Sequence, residues 1–209
     1  MTTRRTVTLG AVLLAAFIAL GLLVRSGPDQ LDAFLATAMR DEVHEPAGVV
    51  AGVVSAVLGP ILPIVLAVGL AVAAAVTWWR GDHARTGVLL RVLALLVVCR
   101  ATSWATKPLF ARERPRVFPD FAYPSGHVVS VASTGFAIVV LCAVLAPHAV
   151  TLAARIAVVA TLLCAASRIV LNVHWVTDTV GGILAVGGAG LLAAAALRLP
   201  PTRGVASSA

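Results

Sequence analysis

Long apolar blocks separated by short polar knots run through the whole chain. The first block, Val7 to Val24, follows two arginines and holds 18 residues without a charge. That length suffices for a membrane-spanning helix. It exceeds the apolar core of a signal peptide, and no A-x-A cleavage site follows, so it reads as an uncleaved first span over about 6–24. The polar stretch "RSGPDQLDAFLATAMRDEVHEPAG" comes next, with Leu31, Phe34, Leu35 and Met39 at helical spacing and Asp32, Arg40 and Asp41 between them. This pattern predicts a short amphipathic helix lying at the membrane surface.

From Ala47 to Trp79 the chain is apolar for 33 residues. One straight helix of that length measures about 50 Å, against a hydrocarbon core of about 30 Å. Gly59, Pro60 and Pro63 mark the expected break. Span two is placed at 59–79, with 47–57 as an interfacial approach and Trp78 and Trp79 at head-group level. "RGDHAR" (80–85) is a polar turn, and spans three to six fall at about 86–105, 127–146, 151–170 and 176–197. A basic, proline-rich stretch, 107–127, separates the third from the fourth. The expected fold is all-α: a polytopic membrane protein of six transmembrane helices in a compact bundle. It forms a single domain over 1–198, and 199–209 is read as a disordered tail.

Composition agrees with this pattern. Sixty per cent of the 209 residues are hydrophobic and only 12% charged, about half the charge of a soluble domain. Net charge is +7, yet no basic run is interleaved with aromatics, so nucleic acid is not an expected partner. The bilayer and an anionic substrate are. Cys99, Cys142 and Cys164 lie within apolar runs without metal-ligand spacing and read as small buried hydrophobes. Nothing in the pattern signals an oligomeric state.

Six spans put both termini on one side. Lysines and arginines are nearly balanced between the two sides, so the positive-inside rule alone does not choose. Treating the basic cluster around 107–116 as functional rather than topogenic places both termini in the cytoplasm. The cluster then faces the extracytoplasmic side of the cell membrane.

Three polar patches share that side: "KPLFARERP" (107–115), "PSGH" (124–127) and "SRIVLNVHWVTD" (167–178). Lys107, Arg114 and Arg168 each cost about 2.5–3.5 kcal/mol if drawn toward the bilayer centre. An anion held between them offsets that cost and their mutual repulsion, and arginine's planar fork suits phosphate. Singly, such residues also snorkel to head groups. Ser125, Gly126 and His127 stand where a loop enters span four, and a helix N-terminus is an anion site or simply a capped end. His174 and Asp178, four apart at a helix start, share a face. The carboxylate can then accept the Nδ1 proton and leave Nε2 as a nucleophile, or the two form a plain cap pair.

Taken together, these residues spell a pattern: Lys107, six residues, Arg114-Pro115; Pro124-Ser125-Gly126-His127; Ser167-Arg168, five residues, His174, three residues, Asp178. The pattern closely resembles the three-part signature of the phosphatidic acid phosphatase type 2 superfamily, shared with vanadium-dependent haloperoxidases and some soluble acid phosphatases. It covers 107–178, with eleven typed positions. The resemblance implies that His174 attacks phosphorus and carries a covalent phosphoryl group, and that Asp178 orients it. His127 protonates the leaving oxygen and then activates water. Lys107, Arg114, Arg168, Ser125 and the Gly126 N–H hold the non-bridging oxygens, with help from Ser167. It implies no metal and no cofactor, since the cations supply the electrostatic stabilisation. Only eight residues separate Pro115 from Pro124, which leaves little room for a lid. Arg112 and Arg116 flank the site, placed to touch either a second phosphate or head groups.

The leading expectation is metal-independent hydrolysis of a lipid phosphate monoester or diphosphate. The substrate is an isoprenoid diphosphate such as undecaprenyl diphosphate, or a phosphatidic acid-type glycerolipid. The alternatives are lipid-to-lipid phosphotransfer by the same site and a non-catalytic lipid transporter. Charges gathered on one side, rather than strung across the membrane, argue against the transporter.

Overall fold

In a computed structural model the chain is described over residues 3–200, whose regular elements are helices with no strand among them. Eight α-helices follow in order: α1 (Thr3–Val24), α2 (Gln30–Ala38), α3 (Pro46–Val57), α4 (Ile61–Trp79), α5 (His83–Phe110), α6 (Gly126–Leu145), α7 (Val150–Val170) and α8 (Val176–Ala196). Six segments are long and apolar enough to cross a membrane, with α3 and α4 together forming the second.

The two central helices are α6 and α8, each 56% buried across its apolar window, against 17–33% for the other four segments. Composition explains their position. Gly181, Gly182, Ala185, Gly188, Ala189, Ala193 and Ala194 line the buried faces of α8. Between membrane helices, where lipid is as apolar as leucine, small residues permit the close approach that packing needs. A Cβ on Gly188 would lie 2.7 Å from the Leu14 backbone nitrogen, so α1 and α8 touch backbone to backbone there. Outward faces carry Val, Leu and Ile, and Trp78 and Trp79 are exposed at the end of α4, as expected of a belt.

Tyr123 locks the entry to α6. Its ring stacks on Phe17 at 5.4 Å and meets Phe110 edge-on, while its hydroxyl donates to the Phe17 carbonyl at 2.6 Å. Gly181 leaves the space that this ring fills.

Four expectations are refined. Span three runs on to Phe110, so Lys107 sits in the last turn of α5 rather than opening the loop. Ala111 ends the helix in the left-handed region at φ 46°, turning the chain back over the bundle. The 47–57 approach is a full helix, α3, whose Gly48, Ala51 and Ser55 face is buried. It ends at Val57, just before Gly59–Pro60, where proline lacks a ladder donor. The α2 helix exposes Leu31 and Phe34 as an interfacial helix should, but its Asp32 is buried at 1% exposure. Of the expected tail, Leu199 is buried, and 201–209 lie outside the described residues.

Candidate active site

The N-termini of α6 and α8 lie side by side, joined by the Ser125 N–H donating to the Asp178 carbonyl at 3.0 Å. Two helix starts in contact concentrate free N–H groups and positive dipole ends. The C-terminal turns of α5 and α7 bring Lys107 and Arg168 to the same place, and the 111–125 loop brings Arg114.

Asp178 is the centre of the construction. It occupies the third position of α8, and its Oδ2 accepts the Trp175 N–H at 2.9 Å, which closes the first turn. The same oxygen lies 3.2 Å from His174 Nδ1, and Oδ1 accepts from Arg112 at 2.6 Å. His174 Nε2 lies 3.0 Å from Arg114 Nη1. A guanidinium only donates, so Nε2 accepts and the imidazole proton sits on Nδ1, facing Asp178. Burial first, then Arg114, Arg168 and Lys107, hold the His174 pKa well below its ordinary value. The imidazole is therefore neutral, with its free lone pair on Nε2.

His174, His127, Lys107, Arg114, Arg168 and Gly126 all line one cavity of about 500 Å³. Arg114 is fixed by carbonyls: Nη1 donates to Val173 at 2.8 Å, Nε to Asp120 at 2.5 Å and Nη2 to Phe121 at 3.2 Å. Phe118 lies beneath its guanidinium at 4.3 Å. Lys107 Nζ donates to the Asp120 carboxylate and to the Phe121 carbonyl. The eight-residue loop thus folds over the cations despite its length, and Asp120 gives Lys107 its counter-charge. Arg168 Nη1 donates to Ser55 of α3 at 2.7 Å, and its Nε is buried without a partner among the described residues. Ser125, the N-cap of α6, is fully buried with its hydroxyl likewise unpartnered.

The Ser167 hydroxyl donates to the Cys164 carbonyl of its own helix at 2.7 Å. Arg112, expected beside the site, does not line the His174 cavity. It is 1% exposed and bridges two carboxylates, donating to Asp178 Oδ1 at 2.6 Å and Asp32 Oδ2 at 2.7 Å. Asp32 in turn accepts the Thr177 N–H at 3.1 Å and its hydroxyl at 2.5 Å, so α2 caps α8. A cation this deeply buried needs buried carboxylates, but sequence alone does not say which ones.

Arg100 and Ser103 of α5 also line the cavity and were not anticipated there. Their spacing to Lys107, seven and four residues, was the available signal, since it puts all three on one helical face.

Residues 85–203 match the model of the PAP2 superfamily. Among curated proteins, the chain is similar to the "Putative undecaprenyl-diphosphatase YbjG" of Escherichia coli, 31% identical over 122 residues. The matched stretch is 54% of this chain and 58% of that relative, so the chain spans less than two thirds of the relative's length. Among solved structures, it is similar to the first transmembrane PAP2 type phosphatidylglycerolphosphate phosphatase from Bacillus subtilis. That likeness has a TM-score of 0.69 over 88% of this chain and 92% of that one, and at 21% identity it is one of fold. The family model takes in more than half of the chain and all three blocks of the signature; the chain belongs to the PAP2 superfamily.

Proposed function

We propose that this protein is a membrane lipid phosphatase that cleaves a phosphate monoester or diphosphate through a phosphohistidine on His174, without a metal ion. One observation carries the reading: a neutral imidazole, held at Nδ1 by Asp178, presents Nε2 to a cavity shared with His127 and four cations. Nε2 forms a bond to phosphorus as the bond to the leaving oxygen breaks. His127 gives that oxygen a proton. Then His127 takes a proton from water, which attacks the phosphohistidine and releases inorganic phosphate. Lys107, Arg114, Arg168, the Ser125 hydroxyl and the Gly126 N–H hold the non-bridging oxygens, where charge grows in the transition state.

Both similar proteins are named as phosphatases of lipid-borne phosphates, which supports a substrate drawn from the bilayer. The substrate's tail lies in lipid and its phosphate at the end of the bundle where α6 and α8 begin. With the basic cluster at that end assigned to the site rather than to topology, the remaining lysines and arginines favour cytoplasmic termini and hence an extracytoplasmic site in the cell membrane.

Purified protein should release phosphate from an isoprenyl diphosphate or from phosphatidic acid, and continue in EDTA. Activity that disappears with EDTA and returns with a divalent ion would contradict the metal-free step.

Asp120 occupies Lys107 and lies 3.7 Å from Arg114, so a phosphate must displace its carboxylate. Asp120→Asn is expected to tighten competitive inhibition by inorganic phosphate about three- to tenfold. Unchanged or weaker inhibition would mean that the carboxylate does not compete for these cations.

A further inference from the structure

Arg100, Ser103 and Lys107 form one stripe along α5, and all three face the cavity. Lys107 stands at the end where His174 lies. Ser103 is about 6 Å and Arg100 about 10 Å further along the helix axis, deeper in the span. The mechanism above uses neither. Ser103 is 1% exposed, and its hydroxyl has no hydrogen-bond partner among the described residues. The buried Nη1 of Arg100 has none either, while its guanidinium lies 5.0 Å from the Trp104 ring. Unmet donors inside a protein are costly and rare. Two on neighbouring turns, in one cavity, point to a ligand that supplies acceptors. Gly126 brings the first turn of α6 against them, since a Cβ there would lie 3.4 Å from Ser103 Oγ. The Ser103 hydroxyl therefore shares its space with the helix start that is expected to hold phosphate.

Resting on the phosphatase reading, we propose that Arg100 and Ser103 form a second anion subsite. It holds the lipid-side phosphate of a diphosphate while the terminal phosphate sits against His174. The tail must lie in the bilayer, so the leaving group is on the membrane side of the reacting phosphorus. On that side of the cavity the lining cation is Arg100. In the reaction the His174 Nε2–P bond forms, and the bond from the terminal phosphorus to the bridging oxygen breaks. That oxygen leaves with the lipid monophosphate, taking its proton from His127. Arg100 neutralises the charge that the departing monophosphate carries, and water then releases inorganic phosphate from His174.

Farnesyl diphosphate and farnesyl phosphate differ only in the second phosphate, which makes them the probes. The ratio of kcat/KM for the first over the second should fall at least about tenfold in Arg100→Gln and severalfold in Ser103→Ala. Arg100→Lys should retain an intermediate ratio, because a point charge replaces a fork. A ratio moving less than threefold in Arg100→Gln overturns the subsite, and is the outcome expected if Arg100 serves only a bulk-lipid head group. Should Arg100→Gln fail to purify as a folded protein, Arg100→Lys and Ser103→Ala decide by the same ratio. Wild-type protein that cleaves the monophosphate alone overturns the subsite and leaves the phosphatase reading standing. Cleavage of phosphatidic acid but of neither farnesyl probe overturns the subsite alone, and cleavage of none of the three overturns both.

Discussion

His174→Ala is expected to lower kcat for phosphate release by at least about 10⁴-fold. Three features converge on this residue. It is 3% exposed, so its environment is fixed by protein rather than water. Its Nδ1–H donates to Asp178, which leaves the lone pair on Nε2. Its one outward partner, Arg114, must move only its Nη1 contact to a phosphoryl oxygen for the nucleophile to be free. His127→Ala should behave differently. It removes the proton donor to the leaving group and the base for water, at a cost of about 10²–10⁴-fold. With an aryl phosphate, whose leaving group needs no proton, His127→Ala should still phosphorylate His174 and accumulate the intermediate. Residual turnover within tenfold of wild type in His174→Ala would place the nucleophile elsewhere.

The second large effect is structural. Arg112→Ala removes the single cation shared by Asp32 and Asp178, both with fully buried side chains. Breaking a buried pair by deleting one partner costs about 3–5 kcal/mol, because the remaining charge is left uncompensated. Here two carboxylates are left. The expected result is a large fall in melting temperature. In any protein that survives, kcat falls more than KM rises, since Asp178 no longer holds the His174 ring in register. Arg112→Lys should recover only part of this, because an ammonium lacks the planar fork that reaches both carboxylates. Asp32→Asn should be milder, as Thr177 keeps one oxygen to donate to. Arg112→Ala melting within about 2 °C of wild type with intact kcat would mean the bridge holds neither α2 nor Asp178 in place.

The spans were legible because lipid leaves the chain few options. Apolar runs of the right length must become helices, and glycine and proline at 59–60 must interrupt one. Their ends were less legible: α5 runs five residues past its expected stop because Lys107 and Pro108 fit a last helical turn. The local pair His174–Asp178 could be read from spacing alone, since a helix fixes what lies four residues on. Arg112 could not be placed that way. Its partners lie 80 and 66 residues away, and no periodicity connects a surface helix to the start of α8. Nor does spacing show that the Ser167 hydroxyl bonds the backbone of its own helix, as a serine within a helix can. Arg100 looked like a residue near a span edge, and only the packing of α5 against α6 turned it toward the cavity.

The central claim is that phosphorus becomes bonded to His174. Rapid acid-free quenching of wild-type protein with terminally radiolabelled farnesyl diphosphate, followed by alkaline gel separation, reads it directly. Label should remain on the protein, resist alkali, vanish on mild acid treatment and be absent in His174→Ala. Full turnover by wild-type protein with no label retained at any quench time, or equal labelling of His174→Ala, would contradict it.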